Sequence, residues 1–304
     1  MSGKVSRVPA DARIVNAMTV DVEDYFQVSA FEGVVDRANW ERMESRVERN
    51  TCRVLDLLDE FDVQATFFVL GWVAERFPKL VAEVDSRGHE VASHGYSHRL
   101  VYDQTPDVFR QDVRRARRVL QDASGQAVVG YRAPSYSITR RSLWALDVLI
   151  EEGHEYDSSI FPVRHDRYGV PGAPRHQHVR RGPGGAITEL PPATVRIGPV
   201  TLPAAGGGYF RLLPYGWTKW ALGRINHREG QPAVFYIHPW ELDSEQPRIP
   251  AGRLSRLRHY ANLGRTEARL RTLFREFRFG PIRSLLSDPA GLLHEPSAAP
   301  LFVG

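Results

Sequence analysis

The stretch MTVDVEDYFQV, Met18 to Val28, runs from an apolar strand-like segment into three carboxylates, Asp21, Glu23 and Asp24. Acids this close repel one another unless a cation or a proton lies between them. Further along, SHGYSH sets His94 and His98 four residues apart, a spacing that on one side of a helical turn lets two imidazoles share a metal. Two histidines and one carboxylate, with positions left open for water and substrate, suit hydrolytic Zn²⁺ and some other divalent ions. If the strand persists through the acids, Asp21 and Glu23 face one side and Asp24 the other. One of the first two then ligates the ion while the other accepts a proton from the attacking water. Two later residues extend the set. Arg132 in YRAP follows an apolar run, where its guanidinium can hold a carboxylate ionised. His238 in FYIHPWE ends another such run, and a histidine there can protonate a leaving group near neutral pH. Taken singly, each of these residues is more often a solvated acid, a cap, a surface ion pair or a core histidine.

What brings them together is the order of elements that must carry them. RIVNAMTVD reads as a strand ending at the acids, and residues from about Glu41 to Phe61 as a helix. ATFFVLG is a continuous apolar run suited to a strand buried on both faces. A helix through PKLVAEVDSR stops at Gly88, and the short strand HEVASH follows. Next comes a helix capped by Thr105 with Pro106 in its first position. Its apolar stripe is Phe109, Val113, Ala116 and Leu120, and ASG ends it. VVGYRAP is the next strand, and a helix begun by Thr139 runs to Gly153. Between Ser158 and Gly216 the chain is rich in Pro, Gly, His and Arg, with short strands in AITELP and TVRIGPVTLP. A helix near Trp217–Arg228, the strand PAVFYIHP and a helix from about Leu263 to Phe277 resume the alternation. Repeated strand–helix units argue for a parallel α/β sheet, open or closed. Asp21, Glu23, His94, His98, Arg132 and His238 all fall at or just after a strand end, and in an α/β barrel those ends converge on one face. That coincidence is the physical case for a metal hydrolase.

The remaining features exclude other classes. The chain has 304 residues, 42% hydrophobic and 25% charged, with a net charge of only +4. It carries no recognisable nucleic-acid motif. Cys52 is the single cysteine, so no disulfide framework or thiolate metal site is expected, and it reads as a small buried hydrophobe. The segment MSGKVSRVPADARIV lacks a signal-like apolar core and no run is long enough to span a bilayer, so a cytoplasmic protein is expected. YFRLLPYGWTKWALGRIN, apolar and aromatic with basic residues, suits either peripheral contact with a lipid-linked substrate or a core helix with its preceding loop. Residues 285–304 read as a loosely ordered tail.

In this order the motifs resemble those of the polysaccharide deacetylases of the NodB-homology type, carbohydrate esterase family 4. TVDVED is similar to the family's first motif, ATFFVLG to its second strand, GHEVASHGYSH to its metal-binding histidine motif, GYRAPSYS to its arginine motif, YDSSIFP to the next, and YIHP to the last. The resemblance spans Thr19 to about Trp240, and FPVRHDRYGVP and HPWELDSEQPR are most similar to the subgroup of exopolysaccharide and exosortase loci. It implies a distorted (β/α)7 barrel occupying residues 1–284 as one domain, with residues 158–216 an elaborating segment and a C-terminal helical extension. It also implies removal of N-acetyl groups from N-acetylhexosamine units of an exopolysaccharide or its lipid-linked precursor. The cofactor implied is a divalent metal, Zn²⁺ first, with Co²⁺, Ni²⁺ or Mn²⁺ as alternatives. By the same resemblance Asp21 is the general base held by Arg132, His94 and His98 are metal ligands, His238 is the general acid and Asp157 orients or tunes it. The Ser135 N–H helps form an oxyanion hole. The usual first motif has adjacent aspartates, whereas here Val22 intervenes. The spacing makes Glu23 the third ligand, with Asp24 as the alternative should the strand break at once. The fourth motif lacks the usual Trp. Rival readings are a deformylase or allantoinase-like amidohydrolase on the same scaffold, or a glycan-binding protein without activity.

Overall fold

The computed structural model describes residues 14–286. Its strands are β1 (Val15–Val22), β2 (Thr66–Val69), β3 (Glu90–Ser93), β4 (Gly130–Tyr131), β5 (Tyr156–Asp157), β6 (His178–Gly182), β7 (Gly185–Glu189), β8 (Thr194–Ile197), β9 (Val200–Pro203), β10 (Val234–Ile237) and β11 (Arg278–Gly280). Its α-helices are α1 (Val47–Glu60), α2 (Gly71–Arg76), α3 (Pro78–Ser86), α4 (Pro106–Ser124), α5 (Trp144–Glu151), α6 (Gly207–Leu212), α7 (Tyr215–Gly223), α8 (Arg253–Tyr260), α9 (Leu263–Glu276) and α10 (Ile282–Leu286). Among the described residues no helix is long and apolar enough to cross a membrane.

Parallel staves run in the order β10-β1-β2-β3-β4-β5-β7. A parallel bridge from Pro192, just past β7, to Val234 of β10 joins the two ends. The result is a seven-stave α/β barrel, distorted because β4 and β5 contribute only two residues each. β1 is buried along nearly its whole length, as expected for a parallel strand covered on both faces. Inside the ring, polar side chains satisfy one another: Glu90 accepts from Thr66 Oγ1 at 2.5 Å and from Tyr156 OH at 3.0 Å. β6 lies antiparallel along the outer edge of β7, and β11 extends the start of β1.

Local chemistry explains where the elements begin and end. In α4 the Thr105 hydroxyl accepts from Val108 N, Pro106 opens the helix, and Gly125 at φ 70° closes it. The stripe Phe109, Val113, Ala116 and Leu120 is buried, as the period predicts. Two helix starts differ from expectation. α1 starts at Val47 rather than near Glu41, because the Asp24 carboxylate accepts from Ser45 Oγ, Arg46 N and Val47 N and caps the helix from another element. α5 starts at Trp144 rather than after Thr139, because the Ser142 hydroxyl accepts from Thr139 N and donates to Ser137 O. These side-chain bonds hold the turn out of the helix. The segment 158–216 is more than an elaboration: it supplies stave β7, while TVRIGPVTLP folds back on itself as the β8–β9 hairpin. The tail expected from 285 starts within α10 and otherwise lies outside the described residues. Cys52 is partly rather than fully buried.

His154, 3% exposed, packs its ring edge-on against Tyr131. Burial, aided by nearby Arg117, lowers its pKa to about 4. An unfolded histidine titrates near ~6.5, so between that pH and about 4 the unfolded chain binds a proton that the folded chain refuses. The stability tied to this group is therefore complete above ~6.5 and is lost as pH falls toward 4, at up to ~1.4 kcal/mol per pH unit. The urea midpoint should drop on moving from neutral to mildly acidic pH, and His154→Gln should make that drop shallower. An unchanged slope in the variant would remove His154 as its source.

Candidate active site

β1 delivers Asp21 and then stops at Val22. The chain turns at once, Glu23 N donating to Asp21 O, so the strand alternation assumed for the acids does not extend to Glu23. Asp21 and Glu23 nevertheless face a common centre, and Asp24 turns away to cap α1. The Asp24 carboxyl is pushed up to about 6 by burial, against the bonds it accepts from Ser45 and the α1 amides.

His94 and His98 follow β3, but no helical turn joins them. Gly95 at φ 73° and His98 at φ 51° reverse the chain, and the rings stand 5.6 Å apart. Asp112 of α4 secures this loop by accepting from Tyr96 N and Ser97 Oγ, and Arg37 donates to the carbonyls of Ser97 and His98. One donor atom from each of Glu23, His94 and His98 lies within 4.8 Å of the other two, and all three residues are buried. His94 Nδ1 is 2.8 Å from the Arg132 carbonyl. A carbonyl only accepts, so Nδ1 carries the proton and Nε2 keeps its lone pair for a ligand. Burial lowers the His94 pKa to about 4, which keeps the ring neutral at ordinary pH.

The donor set fits a divalent cation. Glu23 Oε2 lies 2.7 Å from His98 Nε2 yet makes no well-directed hydrogen bond, and the buried His98 Nδ1 has no partner. Nitrogen and carboxylate atoms drawn close without bonding are what ligands of a shared ion require. Burial would lift the Glu23 carboxyl, but His98, with His238 and His94 beyond it, outweighs that and holds it at about 2.

Arg132, at the end of β4, is fully buried. Its guanidinium donates to Asp21 Oδ1 at 2.6 Å, Thr19 Oγ1 at 2.7 Å and Ser158 Oγ at 2.9 Å. It also lies over the Phe68 ring at 4.1 Å. Ser135, at φ 51°, lines a cavity above these groups, its hydroxyl against that of Ser29.

His238 ends β10, with Nε2 at 4.0 Å from Asp21 Oδ2 and 3.7 Å from Glu23 Oε1. The acid on its other nitrogen is not Asp157. Glu241, one turn further on in HPWE, places Oε1 at 3.4 Å from His238 Nδ1 and at 3.2 Å from Arg211 Nε. Burial opposes charge on His238, but the bond to Glu241 and the charges of Glu23, Glu241 and Asp21 prevail and raise its pKa to about 9. Asp157 instead accepts from Ser159 N and Oγ and lies opposite Glu189 on β7. Burial raises both carboxyls of that pair, and the neighbouring Asp157 charge raises that of Glu189 further. The reason is the face each side chain takes: Tyr156 turns into the ring to reach Glu90, so alternation along β5 turns Asp157 to the other face, beside its paired position Glu189.

Glu241, Arg211 and Trp240 were missed in the sequence. Trp240 donates to Glu23 Oε1 at 3.2 Å and stacks on His238. Spacing of three from His238 was the available signal for Glu241; nothing local marked Arg211. These groups floor a cavity of about 860 Å³ whose walls carry Tyr102, Tyr136, Tyr168, Tyr209 and Tyr236.

Residues 39–149 match the family model "Polysaccharide deacetylase", and residues 158–287 match "Domain of unknown function (DUF3473)". The chain is 34% identical over 98 residues to the peptidoglycan-N-acetylglucosamine deacetylase of Bacillus cereus, covering 32% of this chain and 36% of that protein. It is 38% identical over 106 residues to a chitooligosaccharide deacetylase of Sinorhizobium fredii, covering 33% and 44%. It thus spans less than half the length of either relative. Among solved structures, a Mycobacterium smegmatis protein described as a polysaccharide deacetylase superposes with a TM-score of 0.60 at 22% identity, covering 97% of this chain and all of that one. The allantoinase Puue superposes with a TM-score of 0.58 at 17% identity, covering 95% and 89%. Both structures share the fold of this chain. The family match and the curated relatives together identify a polysaccharide deacetylase domain in residues 39–149, and the solved structures share the fold of the whole described chain.

Proposed function

We propose that this chain is an N-deacetylase that hydrolyses the acetamide of N-acetylhexosamine units in a bacterial exopolysaccharide or its lipid-linked precursor, in the latter case at the cytoplasmic face of the inner membrane. The observation that carries the reading is the placing of Asp21 and His238 on either flank of the Glu23–His94–His98 cluster, at the floor of one cavity. A divalent ion held by Glu23, His94 and His98, most simply Zn²⁺ with Co²⁺, Ni²⁺ or Mn²⁺ as alternatives, supplies Lewis acidity for water and carbonyl alike.

The chain's own residues account for the protons. Asp21 Oδ1 is occupied by Arg132, which leaves Oδ2 toward the cavity to take the proton of the attacking water. Glu241, clamped by Arg211, fixes His238 with Nε2–H toward the cavity, so the departing nitrogen receives its proton there. The hydroxyl of water ends on the acetyl carbon as acetate, and the sugar keeps a free amine. The Ser135 main-chain N–H, on the cavity wall, is our assignment for a donor to the carbonyl oxygen as charge builds on it. Asp157, which lies opposite Glu189 on β7, has no part in this relay.

Acetate release from N-acetylated chitooligosaccharides, assayed beside formate and allantoate release, tests the reaction against its amidohydrolase rivals. Asp21→Asn and His238→Ala should each lower acetate release by roughly 10²–10⁴-fold with circular dichroism unchanged; full activity in either variant would sink the proton assignments. Purified without chelator, the chain should hold about one divalent ion, and Zn²⁺ should raise the melting temperature of the stripped protein but not of His94→Ala or His98→Ala. Arg132→Met removes one partner of a buried ion pair and should cost ~3–5 kcal/mol by urea titration. A loss under ~1 kcal/mol would show that Asp21 needs no buried counter-charge.

A further inference from the structure

The apolar segment 209–226 that invited a membrane reading is mostly core. Phe210, Ala221, Leu222 and Ile225 are buried in the core. That segment exposes Leu212 and Trp220, each 43%, but the most exposed apolar side chains near the cavity are on α8. Leu254 and Leu257 are 59% and 61% exposed, and a spacing of three on a helix sets them side by side. Leu212, at the end of α6, is 43% exposed and lines the cavity mouth. α6 is tied to α8 by Arg211, which donates to the carbonyls of Arg258 and His259.

Charge on this face has one sign. From Pro247 to Arg265 the sequence has five arginines, Arg248, Arg253, Arg256, Arg258 and Arg265, and no acid. All five are exposed. None forms a salt bridge among the described residues, whereas the arginines of α4 and α9 pair repeatedly with glutamates. α8 has only His259 buried beneath it. Leucines projecting from an unpaired arginine field are unfavourable in water but match an anionic bilayer, where the leucines reach the acyl boundary and the arginines meet lipid phosphates. The described chain ends, at Ile14 and Leu286, lie near the start of β1, at the opposite end of the barrel from the cavity.

We infer that the α8 face, Leu254 and Leu257 with Arg253 and Arg256, docks this protein on anionic lipid surfaces, with the mouth of the cavity beside the bilayer. This inference stands on the surface alone and does not require the deacetylase reading. Its test is sedimentation of the full chain with vesicles of phosphatidylglycerol and phosphatidylcholine, against vesicles of phosphatidylcholine alone. Binding should be at least about tenfold tighter to the anionic vesicles at low ionic strength and should weaken as salt is added. Leu254→Ser/Leu257→Ser and Arg253→Gln/Arg256→Gln should each weaken it by on the order of tenfold, while acetate release from a soluble oligosaccharide and the circular dichroism spectrum stay unchanged. No binding by the wild type, or equal binding by the variants, overturns the inference. So does light scattering that shows a wild-type dimer and a monomeric leucine variant, since the face would then join two copies of this chain.

Discussion

The buried charge of Arg132 is the constraint around which the cavity end of the barrel is arranged. A guanidinium taken wholly out of water must find counter-charge and acceptors in fixed directions. Here Asp21, Thr19 and Ser158 provide them from neighbouring parts of the ring. The same residue offers its main-chain carbonyl to His94, which sets the tautomer of that imidazole and leaves Nε2 free toward the cluster. Orienting the acid, the histidine and the ends of β1, β4 and β5 is therefore one problem with one solution.

On the opposite flank a second buried arginine performs a comparable task. Arg211 donates to Glu241 and to the carbonyls of Arg258, His259 and Ala261, so the loop after α8 and the His238 partner are set together. His238 thus meets an acid that reaches it from one turn ahead in its own chain, and Trp240 covers both His238 and Glu23. The three crowded acids of the first motif separate by role: Asp21 to an arginine, Glu23 to two histidines, Asp24 to the amides of α1. Each answer to the crowding uses a different principal partner, and His238 faces both Asp21 and Glu23.

Much of this was legible in the chain. α4 was readable to its caps, because Thr105, Pro106, the apolar stripe and Gly125 are local signals. ATFFVLG and PAVFYIHP announced buried staves through continuous apolar character. The residues gathered at the site were found by one rule, that they stand at strand ends. The starts of α1 and α5 were misjudged because side chains decided them: Asp24 from another element in one case, Ser142 within the turn in the other. His94 and His98 do stand together, but for a different reason from the one read: a loop turned by Gly95 and His98 does what a helical turn was expected to do.

The sequence by itself determined the alternation of strands and helices, and with it the face on which Asp21, Glu23, His94, His98, Arg132 and His238 must meet, because periodicity and apolar runs are properties of neighbouring residues. Only the tertiary structure decided between Glu23 and Asp24 at the cluster. That choice turns on where the strand breaks and on the distant amides of α1 that claim Asp24. Only the tertiary structure, too, replaced Asp157 with Glu241 beside His238. Which acid reaches an imidazole depends on stave register and on a buried arginine far back in the chain, and no local pattern encodes either.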